Sequence, residues 1–440
     1  MSTELSLARS RSISGHATMW LRRAMPVVVW MALIGVVALW GAVLVRSDPG
    51  IKLGAPPLFG EVRPRASWAI LVPLLLAGLA TVRGARVASE LKWRALLIVS
   101  VLAATAWAIA LALLDGGDAL TRPLTDSHDY LVQVAHIDSL SGFLSHFTER
   151  LPAYSVHVQG HPPGMVSLLW LMSRAGMSGA GWAAAVIIGT AASAVVAVLI
   201  SVRALAGEER ARIVAPFIAF APFAVWVATS ADALYMGVSA WAVTLAILAA
   251  RAERRSRSIA FAGGVTFGVT LLLSYGLVLV SLAVVAVAFA LRRWGWLLPY
   301  ALGAALPLTT LRLAGFSWWD GLAATRERYL AGVSSQRPFT FFVVANLAAL
   351  AIATGPAVAA GLNSLRQRRL VWLVGGAAVA IAVADLSGMS KGEVERIWLP
   401  FALWLLVATL GPASSRHRRW WLAAQCATAL AVQVVVMAPW

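Results

Sequence analysis

The chain has 440 residues, 60% of them hydrophobic and 12% charged, with a mean hydropathy of +0.79 and a net charge of +17. A soluble domain carries about 25% charged residues, so this composition excludes an ordinary water-soluble globule and leaves a bilayer as the solvent. The arginines fall in short clusters between apolar runs, a pattern that sets membrane orientation rather than one that binds nucleic acid.

Residues 1–24 are rich in Arg and Ser and read as a cytoplasmic tail. The apolar run 25–45 that follows is too long for a signal peptide and ends at Arg46 rather than at small residues, so an uncleaved first span is expected. Runs at 68–82 and 95–114 complete three N-terminal spans over 25–114. Six more lie in a core over 182–314, at 182–202, 213–229, 234–250, 259–274, 276–291 and 295–314. The last four occupy 339–440, at 339–362, 370–386, 397–411 and 419–437. The expected fold class is an all-α, polytopic transmembrane helix bundle of about thirteen spans.

A shorter apolar stretch, 165–172, is settled by charge. If it does not cross, 23 of the 36 basic residues fall in the N-terminal tail and the segments 83–94, 203–212, 251–258, 292–293, 366–369 and 416–419, all on one side. If it crosses, every later cluster lies outside, against the positive-inside rule. The stretch is therefore read as interfacial, with the N-terminus cytoplasmic and the C-terminus outside. Fourteen of the 19 acids then lie outside or at outer helix ends. None sits clearly at mid-bilayer, where a transporter or proton pump would need one.

Three outer segments can carry chemistry. The loop 115–181 begins with Thr125-Asp126-Ser127-His128-Asp129-Tyr130, then an amphipathic pattern through Tyr130, Val134, Ile137, Leu140, Leu144 and Phe147. After His161-Pro162-Pro163-Gly164 comes a second apolar helix, giving two interfacial helices. Asp126 and Asp129 sit at the first helix's N-terminus, where they also complement its dipole. Five of the seven histidines lie in this loop without a compact metal-ligand spacing, and His161, before the prolines, is the one of interest. Asp232, in a very short outer turn, caps a helix or serves a site. The segment 315–338 places Arg326, Arg328 and Arg337 on the face that should be poor in arginine, where planar guanidinium forks suit phosphate or lipid headgroups. A last loop runs from Asp385 through Lys391, Glu393, Glu395 and Arg396 into the span that holds Pro400. Cys426 reads as a small buried hydrophobe.

Together these loops resemble the GT-C superfamily of polyprenyl-phosphate-sugar-dependent membrane glycosyltransferases, over roughly residues 115–411. Asp126 stands four residues before Tyr130, similar to the acid and aromatic of that family's first long outer loop. Arg328-Tyr329 and Arg337-Pro338-Phe339 look like the later Arg-aromatic and Arg-Pro-Phe motifs of its aminoarabinose and O-mannosyl branches. Ser390-Lys391-Gly392-Glu393-Val394-Glu395-Arg396 with Pro400 is similar to a His-Lys-Glu…Arg…Pro motif, without its histidine. Residues 25–82 are an addition to the family's pattern.

The resemblance implies a donor of polyprenyl-phosphate-linked sugar, an extracytoplasmic glycan, lipid or protein acceptor, and a bacterial cytoplasmic membrane. It implies Asp126 as general base with Asp129 second, and Arg328, Arg337 and Arg396 on the donor phosphate. His161, Asp232, Tyr329, Lys391, Glu393 and Glu395 would bind substrate. No cofactor is assigned, and a divalent metal is left open. The competing reading is a transporter or flippase, for which Gly263-Gly264 and Ser274-Tyr275-Gly276 are the sequence hints.

Overall fold

A computed structural model describes residues 2–48, 51, 53–228 and 230–438, with side chains from Met25 onward. The arginines of the tail and Lys52 therefore lie outside the described side chains. The chain is an all-α polytopic bundle, with one short two-stranded ribbon among the described residues.

Three long helices come first, α1 (Ser2–Ser47), α2 (Leu71–Glu90) and α3 (Trp93–Ala112). The backbone of the expected tail thus continues the first span as one helix. Four short helices follow in the long loop, α4 (Tyr130–Val134), α5 (Leu140–Ser145), α6 (Val156–Gln159) and α7 (Gly164–Arg174). The core contains α8 (Ala180–Ala206), α9 (Glu208–Ala219), α10 (Ala231–Arg251), α11 (Ser256–Leu273), α12 (Val280–Leu291) and α13 (Leu297–Leu313). Beyond it come α14 (Trp318–Ala331), α15 (Val333–Gln336), α16 (Phe339–Thr354), α17 (Pro356–Leu362) and α18 (Arg368–Leu386). The chain closes with α19 (Val394–Ile397), α20 (Leu399–Leu405), α21 (Leu410–Ala413) and α22 (Arg418–Val435).

Helical structure occupies all thirteen expected runs, but they are not thirteen straight spans. Among the described residues seven helices are long and apolar enough to cross, and nine if two bent pairs each count as one. One pair, α16 and α17, turns through 103° at Gly355, whose φ is +82°. The run 213–229 is broken too, because Pro216 lies inside α9 and the chain leaves the helix after Ala219 for a 3-10 turn at Pro222–Trp226. It still traverses the bundle. The helices it joins, α8 and α10, run in parallel, with Thr190 beside Gly237 and the Thr244 hydroxyl donating to the Ala197 carbonyl (3.0 Å).

The single long amphipathic helix expected after Asp129 is two helices. Ser139 accepts from Gly142 N (3.2 Å) and so starts α5 afresh, which breaks the pattern between Val134 and Leu140. Tyr130, Leu144 and Phe147 are nevertheless buried.

Small residues let the helices touch. A Cβ on Gly264 would stand 1.9 Å from the Tyr300 carbonyl oxygen, so α11 and α13 meet backbone to backbone. Gly263 packs against Leu245 and Tyr300 in the same seam. These glycines, the main hint of a transporter, are helix-packing residues.

The two ends of the bundle differ in charge. At one, Arg212 donates to the Ala88 and Leu91 carbonyls (2.8 Å each) and Arg203 lies 4.5 Å over the Trp93 ring. The Arg251–Ser256 turn and Arg293 share this end through the parallel course of α8 and α10 and an Arg293–Ala252 bond. At the other end lie the start of α10, the loop 115–181 and the segment 387–398. There the strands Glu61–Val62 and Val436–Met437 pair antiparallel, tying the α1–α2 connection to the end of α22.

Candidate active site

The acid-rich end brings four separate stretches of chain together. The first is the start of α4. Asp129 is extended (φ −85°, ψ 169°), accepts weakly from Leu131 N (3.5 Å), and is only 7% exposed. Its Oδ2 lies 3.3 Å from Nδ1 of His157. Two further bonds strap α6 onto this turn. The Ser155 hydroxyl donates to the Asp129 carbonyl (3.0 Å), and His157 N donates to the His128 carbonyl (3.1 Å).

Behind Asp129, buried Tyr130 packs against His157 and His161, with ring centroids 5.7 and 5.8 Å apart, and His161 packs in turn on Tyr235 of α10 (5.8 Å). Burial raises the Tyr130 phenol well above its usual range and lowers the His161 imidazole. The two phenols approach one another, yet the Tyr235 hydroxyl has no partner in hydrogen-bond geometry among the described residues.

The second stretch is the first turn of α10. Ser230 caps the helix by accepting from Asp232 N (3.2 Å). Asp232, 3% exposed, is thereby free to face Arg396 at 2.5 Å. Carboxylates also reach Arg396 from its own loop, since Glu393 Oε2 lies 2.5 Å from its Nη2. Glu393 is in the left-handed region (φ +63°), a costly conformation for a residue with a Cβ, and it aims its carboxylate back along α19.

That loop is pinned by Asn346 of α16. Its amide nitrogen donates to Asp385 Oδ1 (2.8 Å) and to the Ser390 carbonyl (2.7 Å), while its oxygen accepts from Gly392 N (3.2 Å). Two outer contacts add to this. The Tyr329 hydroxyl donates to the Gly388 carbonyl (2.8 Å), and Lys391 Nζ donates to the Ser335 carbonyl (2.6 Å).

Arg337 and the α1–α2 connection complete the site. Arg337 is 9% exposed, donates to the Lys391 carbonyl (2.6 Å), and lies between the rings of Phe59 and Phe342 at 5.9 and 5.6 Å. Its Nε has no hydrogen-bond partner, and no carboxylate stands within ion-pair distance among the described residues. Burial lowers its pKa, and Glu393 opposes that effect. Nearby Glu395 is 1% exposed. One oxygen accepts from Phe59 N (3.0 Å) and the other has no partner among the described residues, and burial pushes the carboxyl up to about 7.

The structure thus gathers Asp129, His161, Asp232, Glu393, Glu395, Arg337 and Arg396 at one end of the bundle. It leaves two expected residues out. The Asp126 side chain is 56% exposed and held by His128, through Nδ1 (2.6 Å) and the backbone N–H (2.8 Å), bonds that lower its pKa. The partial burial a base needs is absent there. Arg328 is exposed and donates to Gln159 (2.6 Å), tying α14 to α6. Tyr329 and Lys391 are tethers for the late loop. Sequence reading named Tyr130 only as the aromatic of a motif and His157 only among the loop histidines, and it missed Tyr235, Asn346 and Phe59. Phe59 left a trace, since Ile51, Leu53, Leu58 and Phe59 are apolar residues in the connection between the first two spans. Among the described residues no group of three or more His, Cys, Asp or Glu is placed to hold a metal ion.

No family model and no curated protein matches the chain. Two solved structures are similar to it. One is ArnT from Cupriavidus metallidurans in the apo state, at 15% identity and a TM-score of 0.42, covering 72% of this chain and 62% of that one. The other is the oligosaccharyltransferase from Archaeoglobus fulgidus in complex with zinc and sulfate, at 14% identity and a TM-score of 0.42, covering 78% of this chain and 53% of that one. The chain spans less than two thirds of the length of either.

Proposed function

We propose that this protein transfers a sugar from a polyprenyl-phosphate donor to an acceptor hydroxyl at the outer face of a bacterial cytoplasmic membrane. One observation carries the reading. A buried guanidinium with no carboxylate in ion-pair distance among the described residues, Arg337, lies beside a buried acid–base cluster at the end of the bundle opposite the arginine-rich turns. Taking an ion out of water costs several kcal/mol, and the donor's phosphodiester anion, which becomes a dianionic monoester as the sugar departs, is the partner that would offset it. By the positive-inside rule the arginine-rich end is cytoplasmic, which puts the cluster outside and the N-terminus inside.

The charge balance assigns parts. Two carboxylates already face Arg396, so its task is to orient Asp232 and Glu393, and through them the sugar hydroxyls. Arg337 is the group free to take the donor phosphate.

Asp129, the buried member of its pair, supplies the basic side. The acceptor oxygen bonds to the anomeric carbon while the bond from that carbon to the phosphate oxygen breaks. The electron pair leaves with polyprenyl phosphate, which Arg337 stabilises as charge develops. Direct displacement inverts the anomeric centre.

The test is transfer by purified protein in nanodiscs, with polyprenyl-phosphate donors bearing pentoses or hexoses, together with a deletion strain. Inverted product and accumulation of one polyprenyl-phosphate sugar are expected. No transfer from any donor, with an unchanged pool in the deletion strain, would sink the proposal.

A further inference from the structure

We infer that His157 is the proton acceptor of the reaction, and that Asp129 acts by holding it. This rests on the transferase reading above and concerns which atom receives the acceptor's proton.

A free carboxylate is a weak base for a sugar hydroxyl, because an ordinary one titrates near 4. The geometry offers a better group. Asp129 points Oδ2 at His157 Nδ1 (3.3 Å), which fixes the tautomer with its proton on Nδ1 and the lone pair on Nε2. That Nε2 makes no hydrogen bond among the described residues, while the side chain keeps about a quarter of its surface open (25%). Asp129 itself is nearly closed off, at 10% for the side chain, so an acceptor reaches the imidazole before it reaches the carboxylate.

The rest of the turn fixes the ring. His157 N donates to the His128 carbonyl, the His157 carbonyl accepts from His161 Nδ1 (2.9 Å), and Tyr130 packs against the imidazole. The charged and titratable groups around His157 are Asp129, Asp126, His161 and Tyr130. In the step, the acceptor's O–H proton moves to Nε2 as its oxygen bonds to the anomeric carbon, and the resulting imidazolium is stabilised by the Asp129 carboxylate. The phosphate departs with the electrons of the broken bond, and the proton passes to water afterwards.

The experiment is a double-mutant cycle on the full-length protein in nanodiscs, measuring kcat and donor KM for wild type, His157→Ala, Asp129→Asn and the double variant, with exogenous imidazole as an added arm. A general base contributes about 10²–10⁴-fold. We expect His157→Ala to lose that much in kcat with donor KM held, imidazole to restore part of it, and Asp129→Asn to add little in the His157→Ala background. If His157→Ala stays within about threefold of wild type while Asp129→Asn is inactive, Asp129 is itself the base and the inference is wrong, with the transferase reading intact. Fully additive losses without imidazole rescue also overturn it. Absence of transfer by wild type would remove the reading and the dyad together.

Discussion

Replacing Arg337 with Met separates binding from stability, because the side chain is buried with no ion pair among the described residues. Among the described residues the guanidinium makes one hydrogen bond, to the Lys391 carbonyl, and leaves Nε unsatisfied between two phenyl rings. Losing the hydrogen bond costs about 1 kcal/mol. Removing an unpaired buried charge returns at least as much, and the methionine stem keeps most of the contact with Phe59 and Phe342. The thermal midpoint of Arg337→Met should therefore equal or exceed that of wild type. Donor binding should move the other way. One or two charge-assisted bonds to phosphate are worth about 2–4 kcal/mol, which is roughly a 30- to 1,000-fold weaker donor. Thermal shift in detergent, with and without a short-chain polyprenyl phosphate, reads both effects at once. Wild type should be stabilised by the lipid and the variant should not. A variant that is several degrees less stable alone, yet stabilised by the lipid as much as wild type, would show that Arg337 is a structural cation and that the phosphate lies elsewhere.

Arg396→Met should behave in the opposite way, because it strands Asp232 and Glu393; breaking such a pair costs about 3–5 kcal/mol, seen as loss of folded protein on size exclusion. Asp126→Asn should keep transfer within about threefold of wild type, since its carboxylate is exposed and engaged by His128; complete loss in the same assay would return Asp126 to the role of base. Glu395 gives a pH effect of definite sign. Its folded pKa, about 7, lies above the usual 4.5, so the folded state holds the extra proton and stability is full below about 4.5 and falls as pH rises through 7. The span is about 3 kcal/mol. Wild type should thus lose more thermal stability between pH 5 and 8 than Glu395→Gln, and parallel curves would refute the buried neutral carboxyl.

The separation of the arginine clusters and the outer-loop acids to two ends of the bundle was legible in the sequence. The arginine clusters that mark the turns of α2–α3 and α8–α9 do meet at one end, where Arg212 caps the Ala88 and Leu91 carbonyls, and the acids of the long loop lie at the other. Helix existence was legible as well, since apolar runs of that length admit little else. What hydropathy does not encode is where a run breaks. Pro216 and Gly355 interrupt segments that are apolar throughout, and Ser139 restarts a helix inside an unbroken amphipathic pattern. The site was legible as residue types but not as pairings. Asp126 and Asp129 are equivalent by spacing, both near the start of one helix, and only the strap from Ser155 and His157 buries one and leaves the other in water. Arg328 and Arg337 carry the same charge in the same loop, yet one finds Gln159 and the other finds no anion among the described residues.

The contribution of Phe59 is the furthest from any local signal. Its N–H reaches Glu395 across 336 positions of sequence, and its ring packs beside Arg337. The α1–α2 connection, which looked like an addition to the family's pattern, therefore helps bury Arg337 and Glu395 and so shapes their charge properties. Those properties depend on burial, and burial of an outer loop by a distant one follows from tertiary packing rather than from the local pattern of either. The pH response of Glu395 is for that reason also a test of that packing. Deleting the Phe59 contact by shortening residues 51–59 should return Glu395 toward an ordinary carboxylate and flatten the wild-type pH dependence, even though Glu395 itself is unchanged.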